Sequence, residues 1–112
     1  MTNTAKPQAI IVLTTWPDQK RAEQIAEKMI TDKLAACVNI LPKMTSVYHW
    51  QGKLEKGQEH QLIIKTQSEK FAALEKLITT MHPYELPEIL AIKITDGHNA
   101  YLDWIDQSLK AE

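Results

Sequence analysis

Residues 9–15, Ala-Ile-Ile-Val-Leu-Thr-Thr, are rich in apolar side chains at both parities. That density predicts a strand buried on both faces. Trp16-Pro17-Asp18 breaks the run, and Asp18 stands where it can cap a helix. Ala22, Ile25, Ala26, Met29 and Ile30 then recur at helical spacing with charged residues between them. This stripe predicts a helix from about Asp18 to Lys33. From residue 35 to 41 the content turns strand-like again, with Cys37, Val38, Ile40 and Leu41.

Residues 36–50 and 53–66 read as two arms of a hairpin joined at Gln51-Gly52, where glycine tolerates the positive φ of a tight turn. Pro42 interrupts the first arm and Lys56-Gly57 the second, so a bulge or edge is expected at each. Gln61 to Thr66 is a clear strand. Ser68 can cap a second helix whose stripe is Phe71, Leu74, Leu77, Ile78 and Met81, and Pro83 ends it. Tyr84-Glu85-Leu86-Pro87 connects to a strand over Glu88 to Thr95, with Ile89 and Ala91 on one face and Leu90, Ile92 and Ile94 on the other. Asp96-Gly97 turns the chain, and Asn99 can cap a short last helix that points Leu102, Ile105 and Leu109 inward.

The order β-α-β-β-α-β plus a final helix predicts a ferredoxin-like α/β (α+β) sandwich with an extended hairpin. It is expected to form one domain over residues 1–112, with 1–8 as a loosely ordered tail. Right-handed crossovers put both long helices on one sheet face. The opposite face is then bare and apolar, and the last helix is too short to cover it. Each hairpin arm runs roughly 14 residues, against about 5–6 for an ordinary strand. Its outer part carries Val47, Tyr48, Trp50 and Leu54. Burial of Tyr48 and Trp50 in an interface between copies of the chain satisfies both oddities.

Composition narrows the functional classes. The net charge of −1 leaves no basic excess to neutralise a phosphate backbone, so no nucleic-acid partner is expected. No apolar run approaches the roughly 20 residues of a membrane span, so no membrane partner is expected either. The polar start lacks a signal-peptide core, and the lone Cys37 rules out an internal disulfide. Both point to the cytoplasm.

Several stretches then converge. They are Leu34-Ala35-Ala36-Cys37-Val38-Asn39-Ile40, Tyr48-His49-Trp50-Gln51-Gly52-Lys53, Ile64-Lys65-Thr66, His82-Pro83-Tyr84-Glu85-Leu86-Pro87-Glu88-Ile89 and Tyr101-Leu102-Asp103-Trp104. In this order, across residues 9 to 109, they resemble the divalent-cation tolerance family, the CutA proteins. The resemblance implies a ferredoxin-like subunit in a tight homotrimer whose long hairpins engage neighbours, similar in fold and assembly to the PII signalling proteins. It also implies a role in tolerance of divalent cations, and some members are described as binding copper.

The chemical groups are read against that background. Cys37 is expected to be a small buried hydrophobe. His49 and His60 lie on opposite arms, but simple pairing sets them about six residues apart, some 20 Å. No shared metal site follows, and both are expected to face solvent or an interface. His82 ends a helix, where an imidazolium favours the negative dipole end. The family pattern can read His-His-Pro here, with a cysteine near the end of the first strand. The matching positions are Met81 and Thr14. His82 and Met81 therefore remain as candidate ligands for copper or another divalent metal, weakly bound. Tyr84, Glu85 and Glu88 are candidates for an inter-subunit cleft with Trp50 or Lys65. No phosphate loop, triad or paired-carboxylate motif is present, so no catalytic residue is assigned. The leading expectation is a non-enzymatic trimer in the response to metal ions. The alternatives are a PII-like sensor of a small metabolite and a structural scaffold.

Overall fold

The computed structural model describes residues 7–110. Its strands are β1 (Ala9–Trp16), β2 (Cys37–Ile40), β3 (Met44–Trp50), β4 (Lys53–Gln67) and β5 (Leu90–Lys93). Its helices are α1 (Gln19–Thr31), α2 (Phe71–Met81) and α3 (Asn99–Leu109). A 3-10 turn, Ser68–Lys70, leads into α2. The strands pair antiparallel in the order β2-β4-β1-β5, with β3 on the outer half of β4. This is the ferredoxin-like arrangement anticipated above.

Alternation along β1 sends Ile10, Val12, Thr14 and Trp16 to the helical face, where all are buried. Ala22, Ile25 and Met29 of α1 and Leu74 and Ile78 of α2 pack there with Leu62 and Ile64 of β4. Asp18 caps α1, its Oδ1 accepting from the Arg21 backbone N–H at 3.1 Å. Ile30 departs from the expected stripe and is 42% exposed. A helix turns 100° per residue, so once Met29 faces the core its neighbour points away. Met81, on the α2 stripe by spacing, is 54% exposed because α2 ends there. The expected caps at Ser68 and Asn99 also differ. Ser68 opens the 3-10 turn, and His98 precedes α3 without a side-chain cap bond.

β2 pairs β4 from Cys37↔Lys65 to Ile40↔Leu62, and the ladder resumes at Met44↔Glu59. Four steps on one side oppose three on the other, so Leu41-Pro42-Lys43 holds one extra residue, the bulge anticipated at Pro42. His60 stabilises it: its Nδ1–H donates to the Leu41 carbonyl at 2.9 Å. His60 is therefore buried, in contrast to the expected solvent or interface position. Gly57 makes no bulge. It pairs with Ser46 in an unbroken ladder, and the Tyr48 phenol lies over it, where an added Cβ would meet the hydroxyl at 3.7 Å, an ordinary contact. At the tip, Gln51 (φ 51°) and Gly52 (φ 80°) both take positive φ, the type I′ geometry of a two-residue hairpin. The ribbon draws the molecule out to 56 × 25 × 23 Å.

β1 ends at Trp16↔His60, so the outward edge of β4 from Lys53 to Glu59 meets no strand among the described residues. The sheet face away from α1 and α2 carries Ile11, Leu13, Ile63, Leu90 and Ile92. α3 covers one end of it, burying Ile105 and Leu109 against Ala36. β5 stays open, with Leu90 56% and Ile92 50% exposed. Cys37 also lies on this face, opposite Lys65 and only partly buried, in contrast to the expected core thiol. Odd positions of β4 continue the same face along the hairpin, where Glu55 and Lys53 pair with Tyr48 and Trp50. Of the expected tail, residues 1–6 lie outside the described residues. Gln8 is tied to the sheet, accepting from the Ser68 N–H at 2.8 Å and donating to the Ile94 carbonyl at 3.0 Å. No described helix is long and apolar enough to cross a membrane.

Candidate functional site

The end of β1, the end of α2 and the root of the hairpin meet at His82. Pro83 forces His82 into extended backbone (φ −71°, ψ 137°), and its own N–H closes α2 on the Ile78 carbonyl at 2.8 Å. Its ring packs on Trp16, with centroids 4.2 Å apart. Nε2 lies 2.6 Å from the Thr15 carbonyl and Nδ1 lies 3.0 Å from the Tyr84 backbone nitrogen. A carbonyl can only accept and an amide N–H can only donate, so Nε2 carries the proton and the ring is neutral. Burial pushes its pKa below 6.5, outweighing the Thr15 carbonyl and the Glu59 charge, which push it up. A second ring proton would be aimed at the Tyr84 N–H. The expected imidazolium at the helix end therefore gives way to a neutral ring, because desolvation outweighs the helix dipole.

Tyr84 follows, its ring 4.6 Å from that of His82. Its hydroxyl donates to Glu59 Oε1 at 3.3 Å. Burial first, then the charge and hydrogen bond of Glu59 and the proximity of Tyr48, hold the phenol above its ordinary pKa. On the far side of the connector, Gln61 Nε2 donates to the Thr14 carbonyl at 2.7 Å and to Glu88 Oε2 at 3.0 Å. The segment 82–88 thus wraps the end of β1 and is pinned at His82, Tyr84 and Glu88.

Of the residues singled out in the sequence, the fold gathers His82, Tyr84 and Glu88 here. Glu85 is exposed beside them. Trp50 sits at the hairpin tip, opposite Lys53, whereas Lys65 lies under Tyr101 of α3, its Nζ 5.8 Å from the ring centroid. Twelve residues of one strand separate Lys53 from Lys65, about 40 Å. Within one chain, Trp50 and Lys65 therefore do not share a cleft. Trp16, Glu59 and Gln61 belong to the cluster and were not singled out. Their only sequence signal is the strand register, which places 59 and 61 beside the end of β1.

The donor set does not fit a preformed metal cage. Met81 points to solvent while His82 is buried, as expected of adjacent residues at a helix end. Both His82 nitrogens are engaged. Thr14 stands where the family pattern can carry cysteine, fully buried, and its Oγ1 has no hydrogen-bond partner among the described residues. Among the described residues, no three His, Cys, Asp or Glu side chains cluster around a point that could hold an ion.

Comparison with known proteins agrees with this architecture. The family model described as CutA1 divalent ion tolerance protein matches residues 10–108. The divalent-cation tolerance protein CutA of Citrobacter koseri is 43% identical over 104 residues, spanning 93% of this chain and 90% of the relative. Among solved structures, CutA1 from Oryza sativa superposes with a TM-score of 0.90 at 38% identity, covering 95% of this chain and 97% of its own. The periplasmic divalent cation tolerance protein CutA from Archaeoglobus fulgidus gives 0.88 at 41% identity, covering 91% and 99%.

Proposed function

This chain belongs to the CutA1 divalent ion tolerance family, and from that premise we propose that it works as a non-enzymatic homotrimer in the response to divalent metal ions. The observation that carries the reading is the uncovered apolar face. Leu90 and Ile92 are half exposed on a strand that no described residue covers, and the same face runs on to Tyr48 (47% exposed) and Trp50 (38% exposed). Side chains of this size gain about 1.5–3 kcal/mol each on full burial. A second copy seated there removes them from water, and the unpaired edge of β4 offers it backbone hydrogen bonds. The 40 Å gap supports the same reading from another side, since a cleft that joins Trp50 to Lys65 needs the Trp50 of a neighbour.

Direct metal binding is weak in this proposal. His82 must surrender its hydrogen bond to the Thr15 carbonyl or to Tyr84 before it can ligate copper or zinc, and Met81 alone suits only soft cuprous ion. We take it to work in the cytoplasm, a reading that its lone thiol supports. Light scattering coupled to size exclusion tests the assembly. A particle of three 12.8-kDa chains is expected, and a monomer or dimer at micromolar concentration contradicts it.

A further inference from the structure

The link from β5 to α3 crosses an Asp-Gly pair. Of the aspartates and asparagines in the chain, Asp96 alone is followed by glycine. The pair lies outside any helix or strand, with Asp96 at a bend and both residues exposed. Among the described residues, the Asp96 carboxylate takes part in no hydrogen bond or ion pair, and the Gly97 N–H in no hydrogen bond. Gly97 has no side chain to crowd the approach of its nitrogen to the Asp96 carboxyl carbon. Asp103 and Asp106 differ, because within α3 the next amide N–H is committed to a carbonyl four residues back. Both ends of the link are fixed. On one side the Ile94 N–H donates to the Ala9 carbonyl at 3.1 Å, and Gln8 Nε2 donates to the Ile94 carbonyl at 3.0 Å. On the other, the His98 carbonyl accepts from the N–H groups of Tyr101 and Leu102 at 2.9 and 3.0 Å. Residues 95–97 bridge these anchors, and Gly97 lies so close to Leu102 that an added Cβ would meet its side chain at 3.2 Å.

We propose that Asp96-Gly97 is a site of spontaneous backbone modification, where the folded chain converts to an isoaspartyl linkage that loosens α3 from the sheet. The Gly97 nitrogen attacks Cγ of the protonated Asp96 carboxyl. The N–Cγ bond forms, and the amide proton leaves with the carboxyl OH as water. Water then adds to the Asp96 backbone carbonyl carbon of the resulting five-membered imide. The bond from that carbon to the Gly97 nitrogen breaks, and the nitrogen takes back a proton. The former backbone carbonyl becomes the free carboxylate, so the net charge is unchanged. The main chain has gained one C–C bond, about 1.5 Å. With both ends of the link fixed and Leu102 beside Gly97, the added length pushes on the start of α3. That helix holds Ile105 and Leu109 against Ala36. The inference is separate from the assembly proposed above, since it uses neither the hairpin nor the open face of β5.

The test ages the full chain for several weeks at physiological temperature and maps it by proteolysis and mass spectrometry. A second peptide spanning residues 96–97 should accumulate. It should have the same mass but a different elution, resist the aspartate-specific protease and accept a methyl group from a protein isoaspartyl methyltransferase. Peptides holding Asp18, Asp32, Asp103 or Asp106 without Asp96 should stay single. Asp96→Glu should abolish the second peptide, because its ring would need six members. Asp96→Asn should convert faster through the same imide, because its amide needs no prior protonation. Hydrogen exchange reads the effect on α3. A peptic peptide that covers both Asp96 and Ile105 separates the two forms, and the converted one should take up deuterium faster. A single 96–97 peptide in the aged wild type overturns the proposal. So does a second peptide that persists in Asp96→Glu, a slower Asp96→Asn, or equal deuterium uptake by the two forms. Particle mass is followed in parallel, so that failure of conversion and failure of assembly are read separately.

Discussion

His82→Phe tests the reading that a neutral histidine is the pin of the hairpin root. Phenylalanine keeps the ring and its packing on Trp16 but removes both ring nitrogens. The Thr15 carbonyl loses a donor at 2.6 Å and the Tyr84 N–H loses an acceptor at 3.0 Å. Each buried polar group left without a partner costs about 1–3 kcal/mol. The sum, about 2–6 kcal/mol, corresponds to a fall in Tm of roughly 10–25 °C for a chain of this size. The variant also changes the pH dependence. The folded-state pKa of His82 lies below its ordinary 6.5, so the unfolded chain binds the proton more readily. The histidine's contribution is complete above about pH 6.5 and is lost as the pH falls below that value towards the folded pKa. Urea unfolding at about pH 7.5 and pH 5.5 measures both effects. The wild type should lose more stability than His82→Phe between the two values, the other histidines cancelling in the difference. A variant less than about 0.5 kcal/mol weaker at neutral pH, or one with the wild-type pH dependence, refutes the pinning argument.

Thr14→Val should raise stability by about 1 kcal/mol, because it replaces a buried hydroxyl without a hydrogen-bond partner by a methyl of the same shape. Thermal unfolding checks this, and a lower Tm means the hydroxyl has a partner after all. Trp50→Ala should weaken association by about 3–5 kcal/mol per site, as for an aromatic truncated in a packed core. An unchanged particle mass on dilution shows the tip to be outside the interface. Calorimetric titration with copper and zinc should show binding weaker than micromolar and little altered in His82→Ala. Submicromolar binding at one site per trimer, abolished by that substitution, would instead establish a symmetric metal centre.

The elements were legible wherever one physical rule acted alone. Apolar spacing gave the faces of α1 and α2 to within their last turns, and Gln51-Gly52 marked the hairpin turn. Errors collected where a rotation or a face had to be chosen. Ile30 is apolar and close to the stripe yet falls one residue beyond the core-facing arc, and Met81, on the stripe by spacing, is exposed because α2 ends there. Cys37 is flanked by core residues, but alternation sends it to the open face beside Lys65. Gly57 looked like a bulge, although the ladder continues through it. It is the bare backbone over which Tyr48 lies.

The site was legible only in part, for a different reason. His82, Tyr84 and Glu88 stood out because prolines punctuate their segment. Trp16 looked like the end of a strand and proved to be the platform under the histidine. Glu59 and Gln61 sit in a regular strand with nothing local to mark them. Their roles arise from contacts 25 and 27 residues away, to Tyr84 and Glu88, and the His82 bond to Thr15 spans 67. Whether His82 is charged likewise depends on that distant carbonyl and on burial, which outweigh its position at a helix end.

The central claim is that the open sheet face and the hairpin are surfaces of self-association. Sedimentation equilibrium of the wild type beside Leu90→Asp/Ile92→Asp tests it most directly. These side chains are half exposed in the single chain, so the substitutions should leave the far-UV circular dichroism spectrum unchanged. Burying two unpaired carboxylates per chain in an apolar interface costs several kcal/mol each. The account predicts three chains per particle for the wild type and single chains for the variant at micromolar concentration. A wild type that sediments as a monomer, or a variant that remains trimeric, would contradict it.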